Sequence, residues 1–186
     1  MSGCLDCKRK STTTDAAIAQ IDGRLRKLGL ALPAPPAPAG VYHPVVIRHD
    51  IGCVSGQFPL LGGKLEIRGR VGAELSELEG RRAAEIAALN VLAQIRSASN
   101  GFTGFAGLLR LDGYVASAPG FTSQPRILDA ASECFIAVLG PELGAHTRTA
   151  FSVAQLPLDA PIELGVTFAT NGTCSRPHSN ATHAVS

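Results

Sequence analysis

His146–Phe168, HTRTAFSVAQLPLDAPIELGVTF, reads as two half-buried strands separated by a break. With a strand's period of two, Thr149, Phe151 and Val153 share one face of the first half, and Arg148, Ala150 and Ser152 share the other. In the second half Ile162, Leu164, Val166 and Phe168 alternate with Glu163, Gly165 and Thr167. Between the halves, Leu156–Pro161 carries two prolines and an aspartate, which interrupt any ladder. The pattern predicts that each strand turns its apolar face to a core and its small, polar face elsewhere. Arg148 and Glu163 are the charges on those polar faces, and so the first candidates for chemistry.

Upstream stand two long helical patterns. Ile127, Ala131, Cys134, Phe135 and Val138 form a core stripe, with a Thr122 or Ser123 cap, Pro125 in the first turn and Gly140-Pro141 at the end. Cys134 lies inside that stripe and is read as a buried structural thiol. Ser76-x-x-Glu79 is a capping box that starts a helix running to about Ser97, with Leu78, Ile86, Leu89 and Ala93 near one stripe. Arg81-Arg82 on this helix is read as a solvated face. A strand over Leu108–Ser117 is predicted with Leu109, Leu111 and Val115 inward. Val45–Ile47 and Cys53–Ser55 form two short strands around an Arg48-His49-Asp50 turn, after which Ser55–Pro59 leaves the sheet. A turn at Leu61–Lys64 then leads to a brief Leu65–Ile67 strand.

The ends differ in character from this body. Residues 1–13 are polar and unpatterned and are read as a disordered N-terminus; residues 14–39 comprise a helix and a proline-rich linker. The helix starts at a Thr14/Asp15 cap and carries Ile18, Ile21, Leu25 and Leu28 on one stripe. Residues 40–169 form one domain, and 170–186 a disordered tail. The order β-β-β-α-β-α-β-β predicts an α+β fold, with two long helices on one face of a mixed sheet and the other face free. Oligomerisation through that free face, with a site lined by two subunits, follows as an expectation.

Composition narrows the function classes. The 186 residues are 45% hydrophobic and 17% charged, which suits a globular chain. A net charge of +2 and 5% aromatic residues without tryptophan argue against nucleic acid as the partner. No apolar run reaches the roughly 20 residues that a membrane span needs, and the first residues have no hydrophobic signal segment. Five cysteines at irregular spacing make no disulfide framework, and Cys4-x-x-Cys7 lacks the second pair that a zinc site needs. The expectation is a reducing, cytoplasmic setting.

Gly40-Val41-Tyr42, Val54–Pro59 (VSGQFP), Arg148–Pro157 (RTAFSVAQLP) and Ile162-Glu163 together resemble the Rid (YjgF) family, over roughly residues 28–169. The Gly113–Phe121 segment (GYVASAPGF) is most similar to its YjgF/chorismate mutase-like branch, which carries an endoribonuclease label. The resemblance implies a chorismate-mutase-like, homotrimeric α+β fold with sites between subunits. It also implies hydrolysis of 2-imino acids to 2-oxo acids and ammonia, with a non-catalytic carboxylate-binding trimer or a metal-independent endoribonuclease as alternatives. In such a deaminase Arg148 matches the arginine that binds the substrate carboxylate, and Glu163 the glutamate that orients or activates water. Tyr42, Ser55, Gly56 and the backbone around Ala150 match the remaining binding positions. Asp129 stands where the deaminases often carry asparagine. The resemblance further implies no metal and no organic cofactor, since an imine carbon is already electrophilic and mainly needs orientation.

Overall fold

The computed structural model describes residues 18–171. The readings of the N-terminal tail, of Cys4 and Cys7, of the Thr14/Asp15 cap and of residues 172–186 lie outside them. Helix α1 covers 18–27 within the described residues, and Ile21 and Leu25 are buried in the main core while Leu28 is exposed. Gly29, at φ 66°, ends it: Leu30 N–H reaches back to Leu25 O at 2.9 Å, and Gly29 N–H to Arg26 O at 3.1 Å. This left-handed closure satisfies carbonyls that the last turn would otherwise leave open. The following linker lies against α2 (Glu77–Ala98), where buried Gln94 donates to Pro36 O at 2.7 Å.

Strands β1 (Val45–Arg48), β2 (Ile51–Gln57), β5 (Phe105–Ala116), β6 (Thr147–Val153) and β7 (Ile162–Thr170) form one sheet in the order β1-β2-β7-β5-β6. Only β5 and β6 run parallel among these pairs. Helices α2 and α3 (Gln124–Leu139) pack side by side on one face, as an α+β layer requires. The capping box of α2 forms, with Ser76 Oγ accepting from Glu79 N–H and Glu79 Oε2 accepting from Ser76 N–H. Ala83, Ala84, Ala87 and Ala88 are fully buried, so α2 sits close to its neighbours, whereas Leu78 in its first turn is exposed. The core stripe of α3 is buried at every position named from the sequence. Gly113 of β5 lies beneath it, and a Cβ there would stand 2.2 Å from Leu128 Cδ1. Gly113→Ala is therefore expected to lower the unfolding free energy by about 1–3 kcal/mol, the cost of overpacking, read by chemical denaturation.

Three local departures have physical causes. Ser55–Gln57 does not leave the sheet; the pairing of β2 with β7 shifts between Val54 and Gln57, and the strand continues through that bulge. A second register shift, between Leu108 and Arg110, turns Leu109 outward and puts Leu108 in the core, so the inward set is Leu108, Leu111 and Val115. The Gly62-Gly63 turn closes a hairpin of β3 (Leu60–Leu61) and β4 (Lys64–Leu65) rather than leading into a single later strand. The last strand also runs one residue further than its pattern suggests, because buried Thr170 bonds Asp50 O at 2.8 Å.

The largest correction concerns β6. Its apolar face does not meet the helices. Arg148 pairs in register with Leu111, and Ala150 with Gly113, so Arg148 and Ala150 face α3. Phe151 instead stacks on Tyr114 on the opposite face, 5.5 Å between ring centroids. β6 is an edge strand, and beside α3 its inner face meets polar side chains that can satisfy an arginine.

Candidate functional site

Arg148 is held by one face of α3. Pro125, Asp129 and Ser132, spaced four and three residues apart, share that face. The guanidinium donates to Asp129 Oδ1 at 3.0 Å, to Ser132 Oγ at 3.0 Å and to Pro125 O at 3.2 Å. Ser132 Oγ lies 3.0 Å from His146 Nε2, and His146 Nδ1 lies 2.7 Å from Gly144 O. A carbonyl can only accept, so Nδ1 carries a proton; in the neutral ring Nε2 then accepts from the Ser132 hydroxyl. The chain Gly144–His146–Ser132–Arg148–Asp129 is thus continuous. Sequence reasoning did not pick out Ser132 or His146. Their signals were the helical spacing from Asp129 and the two-residue step from His146 to Arg148, which puts both on one strand face.

Glu163 lies on the other face of the sheet, opposite Tyr114 in the β5–β7 register. Its carboxylate rests on Gly56, and a Cβ there would push the Glu163 carboxylate out of this position. Burial pushes the Glu163 carboxyl above its ordinary value, and its side chain takes no hydrogen bond among the described residues. The bulge beneath it is fixed by Gln57, whose amide donates to Ser55 O at 3.1 Å and to Gly56 O at 3.2 Å. Buried Asn90 on α2 donates to Phe58 O and Leu60 O at 2.9 and 3.0 Å, anchoring the chain that follows.

Within one chain, then, the candidate residues fall into two groups. Arg148, Asp129 and Ala150 lie on the helix side of the sheet's β6 edge. Ser55 and Gly56 lie with Glu163 across the sheet. Tyr42, half exposed, stands before β1; its hydroxyl accepts from Ala39 N–H at 3.2 Å, and Pro44 O two residues on accepts from Ser55 N–H. The expectation that Arg148 and Glu163 share a face is not met, since alternation fixes which residues lie together on a strand but not which side meets the helices. Arg81 and Arg82 are paired at the surface, with Glu133 and Glu85. Cys134 is buried and its thiol is pushed up to about 12, in keeping with a structural role. Among the described residues no group of three or more His, Cys, Asp or Glu side chains could hold a metal ion, and no helix is long and apolar enough to cross a membrane.

Residues 22–170 match the family described as "YjgF/chorismate mutase-like, putative endoribonuclease". Protein TCP17 of Trypanosoma cruzi is 37% identical over 150 residues, covering 80% of this chain and 92% of that protein. The Agrobacterium tumefaciens protein Atu1372 superposes with a TM-score of 0.79 at 35% identity, over 87% of this chain and 99% of that one. A Shewanella oneidensis protein carrying the same endoribonuclease description gives 0.77 at 31% identity, over 81% and 99%. With this match spanning the sheet, both long helices and both residue groups, the chain belongs to the YjgF/chorismate mutase-like family.

Proposed function

We propose that this chain hydrolyses 2-imino acids to 2-oxo acids and ammonia, at sites formed where copies of a homotrimer meet. One observation carries the reading: a half-buried carboxylate, Glu163, with a raised pKa and no hydrogen-bond partner among the described residues, beside the glycine that its motif supplies. Arg148 provides the complementary group, an anion-binding fork at the edge of the same sheet. Because the two lie on opposite faces, a substrate touching both needs Arg148 from one copy and Glu163 from another.

In this mechanism Arg148 holds the substrate carboxylate, and Glu163 accepts a proton from the attacking water. The water oxygen adds to the C=N carbon. Glu163 then returns this proton to the nitrogen and takes up the carbinolamine hydroxyl proton as the C–N bond breaks. The oxo acid forms, ammonia leaves, and the carboxylate is restored by passing that last proton to ammonia or solvent. Orientation supplies much of the rate, because the imine carbon is already electrophilic.

The test is a coupled assay in which threonine dehydratase generates 2-iminobutanoate and semicarbazone formation reports the imine that remains. Faster imine consumption than in buffer supports the reading, and no acceleration by a protein shown to be trimeric sinks it for this substrate. Metal-independent RNA cleavage that survives Arg148→Ala would instead put the activity outside this site.

A further inference from the structure

The geometry points to Asp129 as a specificity-determining residue that selects ligands carrying a cationic nitrogen next to the carboxylate. This deepens the proposed reading and rests on Arg148 as the carboxylate anchor. The argument starts from the state of that arginine. Both two-pronged edges of a guanidinium use Nη2, and here Nη2 donates to both Asp129 Oδ1 and Pro125 O. No fork is free. A ligand carboxylate reaches two-point contact only by replacing one of these acceptors.

Asp129 is the replaceable one. Its side chain is 46% exposed, against 21% for Arg148, and an exposed ion pair is weak enough to exchange. Ser132, backed by His146 and Gly144 O, and the Pro125 carbonyl keep the guanidinium in place while the exchange happens. The displaced Asp129 carboxylate then stands beside the incoming anion. For a simple monocarboxylate that is repulsion. For a 2-iminium or 2-ammonium acid, the cationic nitrogen is vicinal to the carboxylate and can accept Asp129 as its counter-ion. The pair is neutral overall, and so is the zwitterion it fits.

Two consequences follow for the reaction. Asp129 favours the protonated iminium, the more electrophilic form of the substrate. Once ammonia has left, the oxo acid is a bare anion beside Asp129, which reclaims the arginine and expels the product.

The experiment compares two ligands of one skeleton, 2-aminobutanoate and 2-oxobutanoate. Calorimetric titration of the whole protein is run on wild type, Asp129→Asn and Arg148→Ala, with imine hydrolysis measured in parallel. Wild type is expected to bind the amino acid at least 10-fold more tightly, a charge-pair difference of about 1.4 kcal/mol. Asp129→Asn should lower that ratio at least 10-fold by tightening the oxo acid and weakening the amino acid, and Arg148→Ala should lose both ligands. A ratio that Asp129→Asn leaves unchanged overturns the inference even where hydrolysis is intact, and so does a wild type that binds neither ligand. A shifted ratio without hydrolysis upholds the role of Asp129 and removes the hydrolase reading.

Discussion

Arg148→Ala is expected to slow imine hydrolysis by about 100-fold while leaving the fold intact. A hydrogen bond to a charged group contributes about 1.5–3 kcal/mol, and loss of orientation at the reacting carbon adds to it. The change should appear in both KM, through the lost carboxylate contact, and kcat, through misplacement of the C=N carbon. Stability should move little, because the arginine sits in a partly exposed pair with Asp129, worth about 0–1 kcal/mol at most sites of this kind. Arg148→Lys is the informative companion. It keeps the charge but not the fork, so an intermediate rate indicates two-point recognition, and a rate equal to wild type argues against it.

Glu163→Gln is expected to act in opposite directions on activity and on stability. Removing a general base should cost about 10²–10⁴-fold in rate. The acid limb of the wild-type pH–rate profile, set by a carboxyl above its ordinary value, should vanish with it. Stability runs the other way. A carboxyl whose folded pKa exceeds its unfolded one destabilises the fold only when ionised. The penalty is absent below the unfolded value, grows as pH rises through the folded value and is complete above it. The glutamine variant should therefore melt higher than wild type at neutral pH, with the gap closing on acidification. Equal melting temperatures across that range would show that Glu163 is relieved by a partner in the assembled protein.

What could be read from residues alone was whatever depended on local spacing. The α2 capping box, the α3 core stripe and the alternation of β7 are all present, because each is a contact among near neighbours along the chain. The readings that failed needed information from a second element. Leu109 and Leu108 exchange places because a register shift against β7 rotates the strand by one residue. β6 shows its apolar face outward because its partners on α3 are Asp129 and Ser132, which only the packing of helix on sheet reveals. The candidate site divided along the same line. Motif residues located Arg148, Glu163 and Gly56, but the His146–Ser132 support behind the arginine joins a helix to a strand entry, with a loop between them.

The order of strands in the sheet bears on how this molecule is made. Hydrogen-bonded neighbours β2 and β7 are far apart along the chain, with Ile51 facing Ala169. Closing so long a loop is slow, since its entropy is lost before the pairing compensates. The Arg148 group needs only α3 and the strand that follows it, with Pro125 and Arg148 23 positions apart. The Gly56–Glu163 group exists only once β2 has docked on β7, which follows it in the chain. During synthesis the Arg148 group thus has its parts before the Gly56–Glu163 group can form, and the proposed joint site, which takes one group from each of two copies, can be completed only after β7 has docked.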